Sequence, residues 1–155
     1  MSATDRLNVS FTAAVCIERD GQLLMVQKQD RRWGLPGGHL LKGEGILEAA
    51  RREAREEAGV CIVPYAILGI YHFPRDDGSS LCIVIRAFIS QQASAEAQDA
   101  EVRHIEWKDH RAVRALITSD DLYRPEYVAQ NLMAWLEDKL IPLDTLQEFP
   151  GSWAG

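Results

Sequence analysis

Apolar, β-branched and aromatic residues crowd the stretch from Leu7 to Glu18, stop at Arg19-Asp20-Gly21, and resume in QLLMVQK. That pattern predicts a hairpin closed at Asp20-Gly21. It breaks down in QDRRWGLPGGHL (29–40), where Pro36 and three glycines predict a loop with an unusual backbone path. From Gly45 to Ala58 there is no proline and only Ile46 is β-branched, so a helix is predicted there, with Gly59 as its C-terminal cap. Strand character returns in CIVPYAILGIYHF and SLCIVIRAFIS, separated by RDDGS, and again in VRHIEW. KDHRAVRALI predicts a short helix. In PEYVAQNLMAWLEDKL, Pro125 suits a first turn, and Val128, Leu132, Trp135, Leu136 and Leu140 recur on one helical face. With no repeat, low-complexity tract or linker, residues 1–155 are expected to form one domain with a core over about 8–140 and a loose tail over 141–155. Its architecture is a mixed sheet with a few helices packed on it.

At 46% hydrophobic and 26% charged, the 155 residues can bury a real core. A net charge of -6 argues against nonspecific binding to nucleic acid or to an anionic membrane. No apolar run reaches the roughly 18 to 20 residues of a membrane span, and MSATDRLNVS lacks signal-peptide character, so a cytoplasmic location is expected. Cys16, Cys61 and Cys82 each sit among aliphatic residues and are expected to be core hydrophobes without a disulfide or zinc role. His39, His72, His104 and His110 show no metal-ligand spacing.

The predicted helix poses a chemical question. At about 100° per residue, Glu53, Glu56 and Glu57 fall within one sector and flank the stripe formed by Leu47, Ala50, Ala54 and Ala58. Like charges so spaced repel, and more strongly as water is excluded. Arg52 can orient a carboxylate by a bidentate pair but cannot neutralise three. A hard divalent cation can, and Mg²⁺ takes carboxylate oxygens while leaving positions for substrate phosphates.

Residues 38–60, GHLLKGEGILEAARREAREEAGV, place Gly38, Glu44, Arg52-Glu53, Glu56-Glu57 and Gly59 at fixed offsets. This segment resembles the signature box of the Nudix (MutT-like) hydrolases, with Ala54 smaller than the family's usual aliphatic residue. Trp33-Gly34-Leu35-Pro36-Gly37-Gly38 resembles the family's lead-in, and Glu101 sits where many relatives place an extra acidic residue beside the metals. The likeness spans about residues 8–136. It implies an α/β fold, an α/β/α sandwich with a mixed sheet and a catalytic loop-helix-loop, and attack of water on a phosphorus of a nucleotide diphosphate linkage. It also implies Mg²⁺ as cofactor, with Mn²⁺ a substitute. On that basis Glu56 and Glu57 are expected as principal metal ligands, Glu53 as a further ligand or the general base, and Glu101 as a metal ligand or the rival base. The Gly38 carbonyl completes the coordination, Arg52 orients a carboxylate, and Glu44 positions the loop.

Arg31, Arg32, His39 and Arg75 are candidates for phosphate or substrate contact, and Phe11, Trp33, Tyr71 and Phe73 for stacking a base. The C-terminal LYRPEYVAQNLMAWL is similar to small bacterial Nudix phosphatases acting on nucleoside di- and triphosphates, whereas Pro74 lies near a family position associated with ADP-ribose. The expected partner is a small nucleotide or other diphosphate, with no membrane or nucleic-acid polymer, in a monomer or homodimer. The competing expectation is a nucleotide-sensing domain of the same fold without turnover.

Overall fold

The computed structural model describes residues 7–91, 93–149 and 151. Asp20 and Gly21, both at positive φ (50° and 74°), close the predicted hairpin between β1 (Val9–Arg19) and β2 (Gln22–Lys28). The two strands pair through Glu18↔Leu23 and Arg19↔Gln22. Each then takes another partner. β1 runs parallel to β6 (Gly78–Ile89), from Val9↔Ser79 to Glu18↔Phe88, and β2 runs antiparallel to β7 (Val102–Lys108).

The predicted loop at 29–40 contains two short strands, β3 (Trp33–Gly34) and β4 (Gly37–His39). β4 pairs antiparallel with β1 through Thr12↔His39, Ala13↔Gly38 and Ala14↔Gly37. The glycines serve close approach and not a turn: a Cβ on Gly37 would lie 2.7 Å from the Ala13 carbonyl oxygen and 2.8 Å from Ala14 Cα. β5 (Ile62–Arg75) forms an antiparallel hairpin with β6 that runs two residues longer on each side than the sequence pattern suggested. The sheet order is β3-β2-β1-β6-β5-β8, where β8 is Ile141–Pro142, with β4 and β7 off this path, so the sheet is mixed as expected.

Alternation along β1 builds the layers. Ala13, Val15 and Ile17 face α1 (Ile46–Ala58), while Ala14 and Cys16 face α2 (His110–Ile117) and α3 (Pro125–Leu136). An apolar core therefore lies on each face of the sheet, the α/β/α arrangement. Gly59 caps α1 in the left-handed conformation (φ 66°), its N–H bonding the Arg55 carbonyl.

α3 stops at Leu136 and leaves Leu140 exposed, short of the predicted extent, because Asp138 turns to positive φ (53°) and sends its carboxylate to Arg86. Cys16 and Cys82 are buried as expected, but Cys61 is exposed just ahead of β5. The tail is tied down through residue 148. β8 (Ile141–Pro142) pairs with β5, Leu143 and Leu146 pack on the α1-side core, and Glu148 Oε1 accepts from the Ile46 N–H at 2.6 Å. FPGSW lies mostly outside the described residues. Glu148 thus caps a helix whose own N-cap, Gly45, offers no side chain. Glu148→Ala is expected to remove about 1 kcal/mol of stability and lower Tm by about 2–4 °C in thermal unfolding; an unchanged Tm would exclude the capping role.

Candidate active site

The site begins where β4 leaves the sheet. Leu41 N–H donates to Glu44 Oε2 at 2.9 Å, fixing the bend that feeds α1, and Glu44 in turn receives Arg52 in a bidentate pair, Nε to Oε1 at 2.7 Å and Nη2 to Oε2 at 3.0 Å. Arg52 also donates to the His39 carbonyl at 3.0 Å, to Glu53 Oε1 at 2.9 Å and to Glu56 Oε2 at 3.0 Å. One guanidinium therefore ties strand, bend and helix together. Its hydrogen bond holds Glu44 below the usual carboxylate range.

Glu53 and Glu57 lie within the buried stripe of α1 and do not merely flank it, at 8% and 4% exposure, while Glu56 stays exposed. The alanines beside them allow this close seating. Glu53 Oε1 rests so near the Gly38 backbone that any Cβ at Gly38 would overlap it. Burial raises Glu53 despite Arg52, and raises Glu57 to about 7 despite Lys28, with Glu53 and Asp99 adding repulsion. Lys28 Nζ holds Glu57 Oε1 at 3.2 Å. Glu57 Oε2 is buried with no hydrogen-bond partner among the described residues.

Beside Glu57 opens a cleft of about 410 Å³, a volume in the range of small-ligand sites. Lys28, Gly38, His39, Glu57 and Glu101 line it, and Arg75 and Arg124 add positive charge. Its apolar surface includes Phe73, Tyr127 and Val128 over a floor with Ser80 and Cys82. Tyr127 packs edge-on against both Phe73 and Tyr71, and its hydroxyl meets Cys82 Sγ at 2.9 Å.

Of the residues singled out from sequence, Gly38, His39, Glu57, Phe73, Arg75 and Glu101 share this cleft, and Tyr71 is not among its lining residues. Glu53 stands behind Gly38, and Glu56 is bound to Arg52 on the neighbouring surface. Arg31, Arg32 and Trp33 are not among the lining residues. Arg31 holds a positive-φ turn, Arg32 pairs with Asp30, and Trp33 is buried with Lys108 Nζ 4.2 Å from its ring centre. Phe11 is exposed away from the cleft. Sequence inspection missed Lys28, Arg124 and Tyr127. Lys28 was within reach, because period two in QLLMVQK puts it on the face of Leu24 and Val26, toward α1.

The site thus consists of a glycine strand, an Arg-anchored bend and a helix with two buried glutamates, all set on an α/β/α sandwich. The NUDIX domain model matches residues 7–130, and the chain belongs to the Nudix family. A NUDIX hydrolase from Nitrosomonas europaea is similar in structure, with TM-score 0.78 and 28% identity over 94% of this chain and 100% of that one. The phosphatase NudJ of Escherichia coli is 22% identical over 142 residues, covering 89% of this chain and 90% of NudJ. The 8-oxo-dGDP phosphatase NUDT18 of Danio rerio is 43% identical over 70 residues, 42% of this chain and 22% of NUDT18. Against three of the curated relatives it matches, the chain spans only 22% to 66% of their length. No helix among the described residues is long and apolar enough to cross a membrane.

Nudix hydrolases generally use divalent metals. Among the described residues no three Asp, Glu, His or Cys side chains converge into a ready-made cage. The donors nonetheless fit a hard cation. Glu57 Oε2 is buried and unpaired among the described residues, Lys28 engages only the other oxygen of Glu57, and Arg52 engages one oxygen each of Glu53 and Glu56. Mg²⁺ is commonly held by one or two carboxylates, with water and substrate phosphate completing the shell.

Proposed function

We propose that the chain hydrolyses a phosphoanhydride bond of a nucleoside di- or triphosphate, or of a related nucleoside-diphosphate derivative, with Mg²⁺ as cofactor and Mn²⁺ as a substitute. The observation that carries this reading is the unpaired, buried Glu57 oxygen beside a cleft that also holds cationic and aromatic side chains. A buried carboxylate oxygen without a partner is costly, and a cation supplies the missing interaction. Glu57, Glu53, Glu56 and the Gly38 carbonyl are the groups that would hold the ion. When bound, the metal neutralises phosphate oxygens and makes water a better nucleophile.

We assign removal of the attacking water's proton to Glu101, which lines the cleft and is exposed, in preference to Glu53, which is buried and engaged by Arg52. Arg75 and Arg124 steady the phosphates, and Phe73 and Tyr127 offer aromatic surface to a base. The likeness to the 8-oxo-dGDP phosphatase NUDT18 supports nucleotides as the substrate class.

The test is a panel of nucleoside di- and triphosphates, 8-oxo-dGDP, ADP-ribose, dinucleoside polyphosphates and thiamine pyrophosphate, assayed for all phosphorylated products, inorganic phosphate and pyrophosphate included, with Mg²⁺ and again with excess chelator. At least one nucleotide is expected to turn over, with activity abolished by chelation. Hydrolysis indifferent to chelation, or confined to substrates without a nucleoside, would refute the proposal.

A further inference from the structure

Lys28 stands where a site for a divalent cation should least tolerate it. It is the last residue of β2, at a register shift between β2 and β7, and its side chain lies 18% exposed at the cleft. Its ammonium is 3.2 Å from Glu57 Oε1 and 5.9 Å from the centre of the Tyr123 ring. A positive charge bonded to a prospective ligand repels a divalent ion that shares that ligand. The same charge stabilises the carboxylate while no ion is present, and a lysine's flexible stem lets its charge move by several ångströms.

We propose that Lys28 is an exchangeable counter-ion: its ammonium neutralises Glu57 in the metal-free protein, is displaced when the cation binds, and then contacts a phosphate of the substrate in the cleft. This deepens the functional reading above and rests on it. Three features favour exchange over a fixed structural pair. The bond uses one oxygen of Glu57 and leaves the other unpaired, so the pair is incomplete. Tyr123 gives the ammonium a second favourable surface on the cleft side. Both members of the pair line the same cleft, so the ammonium can turn toward a phosphate without leaving the site.

The test compares wild type, Lys28→Met and Lys28→Arg by Mn²⁺ binding, followed by electron paramagnetic resonance at pH 8 without nucleotide, and by steady-state kinetics on the best panel substrate. Exchange predicts that Lys28→Met binds Mn²⁺ roughly tenfold more tightly, because a competing charge is gone. The same variant shows a KM raised by roughly tenfold or more through the lost phosphate contact. Thermal stabilisation on adding Mn²⁺ is larger in Lys28→Met than in wild type, and Lys28→Arg, which keeps the charge, stays near wild type in Mn²⁺ affinity. Weaker or unchanged Mn²⁺ binding in Lys28→Met would overturn the proposal and leave Lys28 as a fixed support of Glu57. If wild type itself binds no Mn²⁺, the metal reading falls and the exchange falls with it.

Discussion

Glu57→Gln is expected to lower kcat/KM by about 10³-fold while making the metal-free protein more stable at pH 8. The catalytic loss follows from removing the one carboxylate among the described residues that presents a free, buried oxygen beside the cleft; losing a single preorganised electrostatic contact in a water-poor site typically costs about 10²–10³ in rate. The gain in stability follows from the same burial. Glu57 titrates near 7 in the folded protein against an ordinary 4.5, so its folded-state pKa is raised. Below about pH 4.5 the group is protonated both folded and unfolded and costs nothing. As pH rises from there to about 7 the unfolded chain ionises first, and stability falls. Above 7 the full cost is present, on the order of 3 kcal/mol. Glutamine keeps the shape and an oxygen for Lys28 but carries no charge. Lys28, 18% exposed, can turn its ammonium to solvent once its partner is neutral, so denaturant unfolding in chelator should show Glu57→Gln more stable than wild type by about 1–3 kcal/mol at pH 8, with the difference shrinking toward pH 5. A variant less stable than wild type at pH 8 would mean that the Lys28 pair outweighs the cost of burying the charge.

Arg86→Met is expected to cost about 3–5 kcal/mol, the largest stability loss foreseen for a single substitution. Arg86 is 4% exposed and grips Glu18 through both oxygens, Nη2 to Oε1 at 2.8 Å and Nε to Oε2 at 3.1 Å. Its remaining nitrogen reaches Asp138 at 2.7 Å and the Lys139 carbonyl at 3.0 Å. Trp135 Nε1 and the Tyr65 hydroxyl also donate to Glu18, so one buried carboxylate joins β1, β5, β6 and α3. Without the guanidinium, Glu18 is a buried charge held by neutral donors alone. Chemical denaturation should show the loss, and Glu18→Gln in the same chain should recover part of it, because the two residues act as a unit. A cost under 1 kcal/mol, or strict additivity of the pair, would contradict this account.

What could be read from the chain divides by the range of the interaction. The helix over 46–58 and its cap at Gly59 are local, and residue spacing carries them, whereas helical spacing put Glu48 and Glu56 beside Arg52 and did not show that its bidentate partner is Glu44, in the bend ahead of the helix. The pairing of β1 with β6, the Glu18-Arg86 pair 68 residues apart and the cap that Glu148 supplies to Ile46 are set by how the sheet closes, and no spacing encodes them. The glycines at 37 and 38 look like loop formers in isolation. Only the nearness of β1 and of Glu53 reveals that they are there to let backbone and carboxylate approach. The acidic face was legible as a feature, but its burial was not, because the helical wheel places residues around an axis without saying how far the sheet extends over them. Arg31, Arg32 and Trp33 illustrate the converse: proximity in sequence to the glycines does not place them at the cleft.

The most direct measurement is calorimetric titration of Mg²⁺ into wild type and Glu57→Gln at pH 6 and pH 8, in buffers of differing ionisation enthalpy so that proton release is counted. Because Glu57 titrates near 7, wild type should bind the ion and release close to one proton at pH 6 but few at pH 8, whereas Glu57→Gln should bind weakly and release none. Equal affinity in the two proteins, or binding at pH 6 without proton release, would show that the ion is held elsewhere.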